Sequence, residues 1–362
     1  MGAPCLTRLA LVMIARDEAR SIVRALASAA PHVDRMIVLD TGSVDDTKVL
    51  AEAAGAEVFD FAWRDDFAAA RNAALDHSDA AWNLILDADE WIEGGAEALG
   101  PRSLPAAGGA FLGLAQVTSE TGEGDEASSA RSWIARVLPA GVRYEGRIHE
   151  QPVSNLPRER LALVVGHDGY TPASLARKGD RNEALLTAEL AAHPGDAYLW
   201  FQLAKEYQVR DRPPQAALCF AEALRLAGPD EPFRHALVVR AITAFKTEGR
   251  LDEALTLLEA EFPNWQASPD FFFAMGDLYL AAAAREPVKA LSDHLPLAEF
   301  AWKKCLELGE RSDLDGSVAG RGSHMPAHNL AVMYETLGLN EQAARHHALA
   351  AELRGAGEPS RR

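Results

Sequence analysis

Two aspartates that follow a short apolar stretch carry the clearest chemical signal in the chain. Residues 84–86 are Leu-Ile-Leu, a run typical of a buried strand, and Asp87 and Asp89 come directly after it. In extended backbone, residues two apart project to the same side, so the two carboxylates are expected to point together. Like charges this close favour a nearby cation, and hard oxygen ligands suit Mg²⁺ or Mn²⁺. The pair predicts a metal site, although a bare Asp-x-Asp is more often an acidic turn.

Acidic residues also follow the earlier predicted strands. Glu18 comes soon after the first apolar stretch of the chain, and Asp40 comes directly after the second. The carboxyl ends of parallel strands share one edge of a sheet, and open α/β sheets bind ligands at that edge. Glu18, Asp40 and Asp87 are therefore expected to lie along one rim.

Two adjacent pairs of residues supply groups suited to binding an anion. Gly42 and Ser43 favour a tight turn whose backbone N–H groups face an anion or a ribose. Arg71 and Asn72 lie on a predicted helix, inside an Ala-rich and inward-looking stretch, residues 67–75. A helical arginine is commonly a solvated surface charge, and a buried contact with an anion is the alternative.

Strands and helices alternate along the first half of the chain. Short apolar stretches predict strands at 9–14, 36–39, 57–59, 84–86, 110–117, 132–138 and 161–165. Periodic apolar residues predict helices at 22–30, through 50–54 and at 67–74. Segments rich in Gly, Pro, Ser and acidic residues predict loops at 94–109 and 118–129. This alternation indicates βαβ units and a mostly parallel sheet.

Four segments of this half resemble, in order and spacing, the motifs of family 2 glycosyltransferases with the GT-A fold. They are Ala15-Arg16-Asp17-Glu18, Asp40–Thr47, Asp66–Asn72 and Asp87–Glu90. The resemblance covers about residues 8–170. It implies a Rossmann-like, mostly parallel α/β domain that binds a nucleotide-diphospho-sugar. The first motif differs, because the family commonly has Lys-Asn-Glu where this chain has Arg16-Asp17-Glu18, and the contacts of position 17 therefore stay open.

The same resemblance implies roles for individual residues. The nucleotide-sugar would be bound by Ala15, Arg16, Glu18, Asp40, Gly42, Ser43, Arg71, Asn72, Asp87 and Ala88. Within that set, Glu18 would contact the ribose and Asp40 the uracil. Asp87 would lie beside the ribose and phosphate, and Asp89 would bind Mn²⁺ or Mg²⁺ on the diphosphate.

Two later segments, 144–150 and 161–170, are similar to motifs of the glycosyltransferases that carry a helical-repeat tail, including the bacteriocin S-glycosyltransferases. His167 follows a predicted strand and would complete the metal shell with Asp87 and Asp89. A lone histidine is more often a hydrogen-bonded structural residue, and that alternative stays open.

An inverting transfer needs a general base that takes a proton from the acceptor. Glu150 is the first candidate, and His149 and Asp168 follow it. Helix-capping, salt-bridge or loop roles are the alternatives for each of the three.

The second half of the chain has continuous helical periodicity and a weak repeat. Small and aromatic residues recur at offsets drawn from 0, 3, 7, 12 and 19, in units that begin at Ala204, Ile242, Gly276 and Ala331. This spacing resembles the tetratricopeptide repeat, a helix–turn–helix unit of ~34 residues. Ile242 departs from the usual small residue. The last two units are too far apart for one repeat, so 281–295 or a flexible loop at 310–325 is expected to be inserted.

The two patterns predict three parts: a GT-A domain over 1–172, an all-α tetratricopeptide-repeat solenoid over 173–354 and a frayed tail over 355–362. Stacked repeats present a concave surface, which is expected to hold a peptide, protein or glycan acceptor. The alternative is that the repeats only stabilise the first domain or form a homodimer.

The composition and net charge of the chain favour some kinds of protein and argue against others. The chain has 362 residues, of which 48% are hydrophobic, and a net charge of −17, which favours a folded two-domain protein and argues against nucleic-acid or anionic-membrane binding. Its three cysteines are far apart, which argues against a disulfide framework or a zinc site. We expect no signal peptide, no membrane span and a cytoplasmic location.

These observations favour an inverting, metal-dependent glycosyltransferase that uses a nucleotide-sugar, with a UDP-sugar as the expected donor. One alternative is a degenerate transferase domain that serves a repeat-based protein-interaction scaffold. A second alternative is a nucleotidyltransferase. Such an enzyme would prefer a Gly-rich basic loop after the first strand, and residues 15–18 of this chain, Ala-Arg-Asp-Glu, are not such a loop.

Overall fold

The chain divides into two compact units. The computed structural model describes residues 7–105, 111–121, 128–167 and 181–357. The first unit contains residues 1–127 and 132–189, and the second contains 128–131 and 190–362. The predicted boundary at 172 and the candidate base Asp168 lie outside the described residues.

A mixed, mostly parallel sheet forms the first unit and confirms the predicted α/β class. The strands are β1 Leu9–Ala15, β2 Arg35–Asp40, β3 Glu57–Asp60, β4 Trp82–Ile85, β5 Glu90–Gly94, β6 Leu112–Thr121, β7 Ser128–Pro139, β8 Arg143–Glu145, β9 Gln151–Val153 and β10 Arg158–His167. The sheet runs β3-β2-β1-β4-β7-β6-β10-β5, and β8 pairs with β9 apart from it. Strand β1 is parallel to β2 and β4, β2 to β3, and β6 to β10, whereas β4–β7 and β5–β10 are antiparallel.

Helices bury apolar residues on both faces of this sheet. They are α1 Ile22–Ala29, α2 Thr47–Ala53 and α3 Phe67–Asp76. Alternate residues of β1 belong to different cores, with Leu11 packed in the cluster of α1 and Val12 in the cluster of α3. A strand that is covered on both faces needs apolar residues at every position, which explains the unbroken apolar stretches of the sequence.

Several predicted boundaries were wrong. Strands β6 and β7 extend into the predicted loop 118–129, because strands with one polar face do not give a continuous apolar run. Strand β10 begins at Arg158, three residues before its apolar core. Strand β5 was not predicted. It pairs at the sheet edge with β10 alone, so its charged residues are tolerated there.

Helices follow from residue 181 and confirm the predicted helical-repeat half. They are α4 Arg181–Ala192, α5 Ala197–Val209, α6 Pro213–Leu226, α7 Arg234–Thr247, α8 Leu251–Glu261, α9 Pro269–Arg285, α10 Leu295–Leu308, α11 His324–Thr336 and α12 Asn340–Gly357. Four pairs (α5–α6, α7–α8, α9–α10 and α11–α12) correspond to the four predicted units. Helix α12 includes residues 355–357 of the tail predicted over 355–362, and residues 358–362 lie outside the described residues.

Small residues let the paired helices approach closely. Ala204 and Ala331 are fully buried. Ile242, which occupies the corresponding position of its unit, is also fully buried. Gly276 requires the absence of a side chain, because a Cβ there would lie 2.4 Å from Trp302 Nε1. The helix α9 therefore packs directly on the indole ring of α10.

Insertions occur at both predicted places. A helical turn at Pro287–Lys289 and a π-helical segment at Ala290–His294 precede α10. We call residues 309–323 the strap, which contains the short strand β11 (Ser317–Val318). The prediction of a flexible loop there was wrong, because the strap is bonded to the first helices of two repeat pairs.

Contacts with two buried side chains help to fix the strap. The Val318 backbone N–H donates to Asp270 Oδ1 at 2.9 Å, and His235 Nδ1 lies 2.8 Å from the Asp315 carbonyl oxygen. Asp270 lies in the first turn of α9 and His235 in the first turn of α7, so the strap crosses the N-terminal turns of both helices. A sequence rich in Gly, Ser and Asp thus forms an ordered segment because a buried carboxylate and a buried imidazole satisfy its backbone.

The structure also bears on the cysteines and on a possible membrane span. Cys219 and Cys305 are buried free thiols, and burial raises the pKa of Cys219 to about 11. No helix among residues 7–105, 111–121, 128–167 and 181–357 combines the length and apolar character that crossing a membrane requires.

Candidate functional site

The carboxyl ends of three parallel strands bring the predicted site residues to one edge of the sheet. The order β2-β1-β4 is parallel throughout, and Ala15 at the end of β1 is in register with Asp40 at the end of β2. Asp87 follows β4, the other neighbour of β1. The expected rim is present.

Asp40 uses one carboxylate oxygen to shape its own loop. Oδ2 accepts hydrogen bonds from the backbone N–H groups of Gly42 at 3.0 Å and Ser43 at 2.9 Å, and Gly42 has φ +105°, which favours glycine. Oδ1 is buried and has no hydrogen-bond partner within the described part of the chain. A buried acceptor of this kind suits a ring N–H.

Asp17 joins the two loops that follow β1 and β2. Its backbone N–H donates to Ser43 Oγ at 2.9 Å, and its Oδ1 accepts from the Val44 N–H at 2.8 Å. One residue later, the Glu18 N–H donates to Thr47 Oγ1 at 2.8 Å. Position 17, where the chain departs from the family's usual asparagine, therefore holds the loop pair together.

The other predicted residues of the first motif differ in exposure. Glu18 Oε2 accepts from Ser21 Oγ at 2.9 Å and lies 3.6 Å from Arg20 Nε. Arg16 is exposed to solvent. Ala15 is buried, and its carbonyl accepts the Thr41 backbone N–H at 2.9 Å, so Ala15 serves the loop through its backbone.

The acidic motif forms a turn and not an extended segment. Strand β4 ends at Ile85, and the Glu90 N–H donates to the Asp87 carbonyl at 2.9 Å. The expectation that Asp87 and Asp89 project together was based on extended backbone, and this segment is not extended, so the period of two does not apply to it. Ala88, between them, is buried.

Asp87 lies between two buried arginines. Arg71 Nη2 donates to Asp87 Oδ1 at 2.5 Å, and Arg136 Nη2 donates to Oδ2 at 3.0 Å. Arg71 Nε also bonds to Glu150, and Arg136 Nη2 to Glu90. Burial acts to raise the pKa of Asp87, but the two guanidiniums hold it well below its usual range. We call the five side chains of this group the Asp87 cluster, which consists of Asp87, Arg71, Arg136, Glu90 and Glu150.

A tight turn places Glu150 in this cluster. Gly146 has φ +95° and His149 has φ +52°. The Phe67 N–H, at the start of α3, donates to the Arg147 carbonyl at 2.9 Å and fixes the turn to the helix that carries Arg71. Of the three candidate bases, Glu150 bonds to the cluster and His149 lies in the turn beside it.

Asn72 clamps the backbone of Tyr144. Its Nδ2 donates to the Tyr144 carbonyl and its Oδ1 accepts the Tyr144 N–H, both at 2.9 Å. The Tyr144 ring lies 5.5 Å from the guanidinium carbon of Arg71, and burial raises the pKa of its hydroxyl to about 12. The phenol is therefore uncharged at neutral pH beside the cluster.

Asp89 faces His167. Asp89 Oδ2 lies 3.6 Å from His167 Nε2, and these side chains are only 9% and 14% exposed. Ser119 Oγ lies 3.0 Å from His167 Nδ1 and orients the ring. In the part of the chain that the structure describes, no group of three or more His, Cys, Asp or Glu side chains could hold a metal ion. A carboxylate and an imidazole nitrogen that face one another could supply two protein ligands to a divalent metal ion, which is commonly bound by few protein ligands plus substrate phosphate.

Arg136 and Glu90 were missed as site residues. Arg136 interrupts the apolar strand sequence 132–138, and a charge inside a buried strand is a signal that could have identified it. Glu90 lies within a motif that was recognised, but nothing in the spacing assigned it a partner.

The model of the family described as "Glycosyl transferase family 2" matches residues 10–96, from β1 to just past the end of β5. A tetratricopeptide-repeat-containing protein of Synechococcus elongatus is 32% identical over an alignment of 275 residues that covers 72% of this chain and 67% of the relative. The chain belongs to glycosyl transferase family 2. It is a glycosyltransferase with a tetratricopeptide-repeat second half, as the sequence motifs predicted.

Two other proteins are similar to this family member. Glycosyltransferase SunS of Bacillus subtilis is 26% identical over 70% of this chain and 63% of its own length. The chain thus spans about two thirds of the relatives it matches. Glucosyl-3-phosphoglycerate synthase of Mycobacterium tuberculosis, solved with Mn²⁺, UDP and glucosyl-3-phosphoglycerate, is 25% identical over 31% of this chain and 44% of its own, with a TM-score of 0.26.

Proposed function

We propose that the chain transfers a sugar from a UDP-sugar to an acceptor, with inversion of the anomeric centre and with the help of a divalent metal ion. The observation that carries this proposal is the Asp89–His167 pair, which lies beside the Asp87 cluster past the ends of the central strands. A glycosyl transfer from a nucleotide-sugar must bind a base, neutralise a diphosphate and deprotonate an acceptor.

The loops after β1 and β2 would bind the nucleoside. Asp40 Oδ1 is a buried acceptor without a partner among the described residues, and the uracil ring carries one imide N–H that it could accept. Gly42 and Ser43 hold the other Asp40 oxygen, so the carboxylate would need no reorganisation to receive the base. Glu18, on the adjoining loop, would contact the ribose.

Asp89 and His167 would hold the metal ion. Asp89 offers a hard carboxylate oxygen, and His167 offers Nε2 while Ser119 engages its other nitrogen. Bound there, Mn²⁺ or Mg²⁺ would neutralise charge on the leaving diphosphate. Asp87, whose two oxygens are both held by arginines, would act beside the ribose and phosphate and not as a direct ligand.

Glu150 would accept the proton of the acceptor nucleophile. Arg71 bonds to both Glu150 and Asp87, so one guanidinium would orient the base and the donor-side carboxylate together. The repeats would hold a chain-like acceptor, a peptide, protein or glycan, because a row of paired helices presents an extended surface.

Isothermal titration calorimetry with UDP, with and without Mn²⁺, tests the donor and metal roles. We expect binding in the presence of Mn²⁺ and a loss of about 10–100-fold in Asp89→Ala or without the metal, as is typical when a metal shell is disturbed. Asp79→Ala is the matched control, because Asp79 is exposed and pairs only at the surface with Arg35. Equal affinity with and without Mn²⁺ would refute the metal role.

Hydrolysis of a panel of UDP-sugars in the presence of Mn²⁺ separates an enzyme from a scaffold. Slow, metal-dependent release of UDP is expected from at least one sugar nucleotide, and Glu150→Gln should abolish transfer to an acceptor while it leaves UDP binding in place. A chain that binds UDP but turns over none of the panel would support the scaffold alternative.

A further inference from the structure

Arg136 is a buried cation on a strand, and one of its nitrogens contacts two carboxylates. Its side chain is 7% exposed, and Nη2 donates to Asp87 Oδ2 at 3.0 Å and also bonds to Glu90 Oε1. The strand β7 is antiparallel to β4, which leads into Asp87, so the arginine approaches the acidic turn from the neighbouring strand. This geometry ties the turn to the sheet.

Glu90 closes the acidic turn from its own side. Its Oε2 accepts the Asp87 backbone N–H at 3.0 Å, and its own N–H donates to the Asp87 carbonyl at 2.9 Å. Glu90 is 2% exposed, so its carboxylate depends on Arg136 for a charged partner. Two explanations for Arg136 are therefore possible: it neutralises Glu90, or it holds the carboxylate of Asp87.

The contacts of Asp87 favour the second explanation. Arg71 binds Oδ1 and Arg136 binds Oδ2, so the two guanidiniums approach the carboxylate from two elements, α3 and β7. Removal of either contact would leave one oxygen without its arginine and would allow the whole carboxylate group to rotate about the Cβ–Cγ bond. The cluster contains three carboxylates and two guanidiniums, so loss of Arg136 would also increase negative charge where a diphosphate has to bind.

We infer that Arg136 is a positioning residue of the donor site, which fixes the orientation of the Asp87 carboxylate through Nη2 in addition to pairing with Glu90. The inference rests on the proposed function, because it assigns Arg136 to the binding of the UDP part of the donor. Groups that orient the ligands of a metal site commonly change affinity or activity by about 10–100-fold when they are removed, and we expect an effect of that size for Arg136.

Calorimetry with UDP and Mn²⁺ on Arg136→Met, Glu90→Gln and the double variant separates the two explanations. In Glu90→Gln, Arg136 keeps Asp87 and the amide oxygen keeps the Asp87 N–H, so affinity should fall less than about threefold. In Arg136→Met, affinity should fall about 10–100-fold. In the double variant no buried Glu90 charge is left unpaired, yet Asp87 still lacks its second arginine, so affinity should stay about 10–100-fold below that of the wild type.

Recovery of the double variant to within about threefold of wild-type affinity would overturn the inference, because Arg136 would then serve Glu90 alone. Arg136→Lys keeps a cation for Glu90 on a shorter side chain and gives an answer even if the double variant does not fold. It should bind UDP about tenfold more weakly, and wild-type affinity would contradict the inference. The control is Arg143→Gln, since Arg143 is 46% exposed and pairs with exposed Asp76.

The proposed function and the inference about Arg136 are refuted by different outcomes. If the wild-type chain bound no UDP in the presence of Mn²⁺, both the donor assignment and this inference would be wrong. If the wild type bound UDP and the double variant bound it with nearly wild-type affinity, the proposed function would stand. The inference that Arg136 holds Asp87 would then be wrong.

Discussion

Buried charges are arranged differently in the two units. In the first unit, five charged side chains form one connected cluster that centres on Asp87. In the second unit, the ion pairs Arg234–Glu261 and Arg321–Asp270 are instead closed by structural contacts. Glu261, for example, bonds to Arg234 and also accepts the Trp265 indole N–H at 2.9 Å.

The contrast separates two uses of a buried charge. A pair that is satisfied by its own neighbours fixes the packing of helices, and breaking it leaves an uncompensated charge. A connected cluster at strand ends, on the same edge of the sheet as the buried acceptor Asp40 Oδ1, retains groups that a ligand can engage. Substitutions in the second unit should therefore change stability, whereas those in the first should change donor binding.

The largest effect is expected from Glu261→Ala. The Arg234 side chain is only 15% exposed, and it would lose its carboxylate partner. We expect the free energy of unfolding to fall by about 3 kcal/mol, as is typical when one partner of a buried pair is removed. Urea unfolding followed by circular dichroism measures this change.

Glu253→Ala is the control for that substitution, because Glu253 is 56% exposed and pairs with Arg250 at the surface. It should change the free energy of unfolding by less than about 1 kcal/mol. UDP affinity should be unchanged in both folded variants. A large loss of UDP binding in folded Glu261→Ala would remove the distinction between the two units.

Asp40→Asn tests the expectation for the first unit, that a substitution there changes donor binding and not stability. Asparagine keeps one oxygen for the Gly42 and Ser43 N–H groups but presents an amide N–H₂ where a ring N–H would bind. Loss of a hydrogen bond to a charged group corresponds to about 2 kcal/mol, so UDP affinity should fall about 30-fold. The melting temperature should change little. Unchanged UDP affinity in the folded variant would show that Asp40 does not contact the base.

The smallest effect is expected from Lys205→Met in the second unit. Burial, and then the charge of Arg240, lowers the pKa of Lys205 from 10.5 to about 8. Between these two values the unfolded chain binds more protons at this site, so the stability of the wild type should rise as pH increases from 8 to 10. The variant should lose that rise.

At pH 7 the lysine is charged in both states and the cost of burying that charge is present. Lys205→Met should therefore be more stable than the wild type by about 1 kcal/mol at pH 7. Thermal unfolding at several pH values measures the difference, with Lys289→Met, at a 59% exposed side chain, as the control. A variant with the same pH dependence as the wild type would rule out Lys205 as its source.

The sequence predicted the family, the sheet and the repeats because each depends on local patterns. Apolar stretches, strand-end acids and small residues at fixed offsets are visible without tertiary contacts. The partners of Asp87 were not visible in this way. Arg71 was identified because its helix motif was recognised, whereas Arg136 reaches the same carboxylate from β7, 49 residues along the chain.

The geometry of the acidic motif was mistaken for a related reason. A period of two applies to Asp87 and Asp89 only if the strand continues, and the hydrogen bond that Glu90 makes to Asp87 converts the segment into a turn. Arg136, which bonds to both Asp87 and Glu90 in this turn, lies on a strand distant in sequence and is not included in any local rule. The strap was mistaken for a flexible loop because its anchors, Asp270 and His235, lie far away in sequence.

The strap also limits how this repeat array can evolve. Solenoids usually gain or lose length by duplication or deletion of whole units. Here the segment that follows the third pair of helices reaches back to Asp270 in that pair and to His235 in the second. Gly316 approaches so closely that a Cβ there would lie 2.6 Å from the Cβ of Ala236. A unit duplicated between these two pairs would detach one anchor, so the number of repeats at this junction is fixed by the strap.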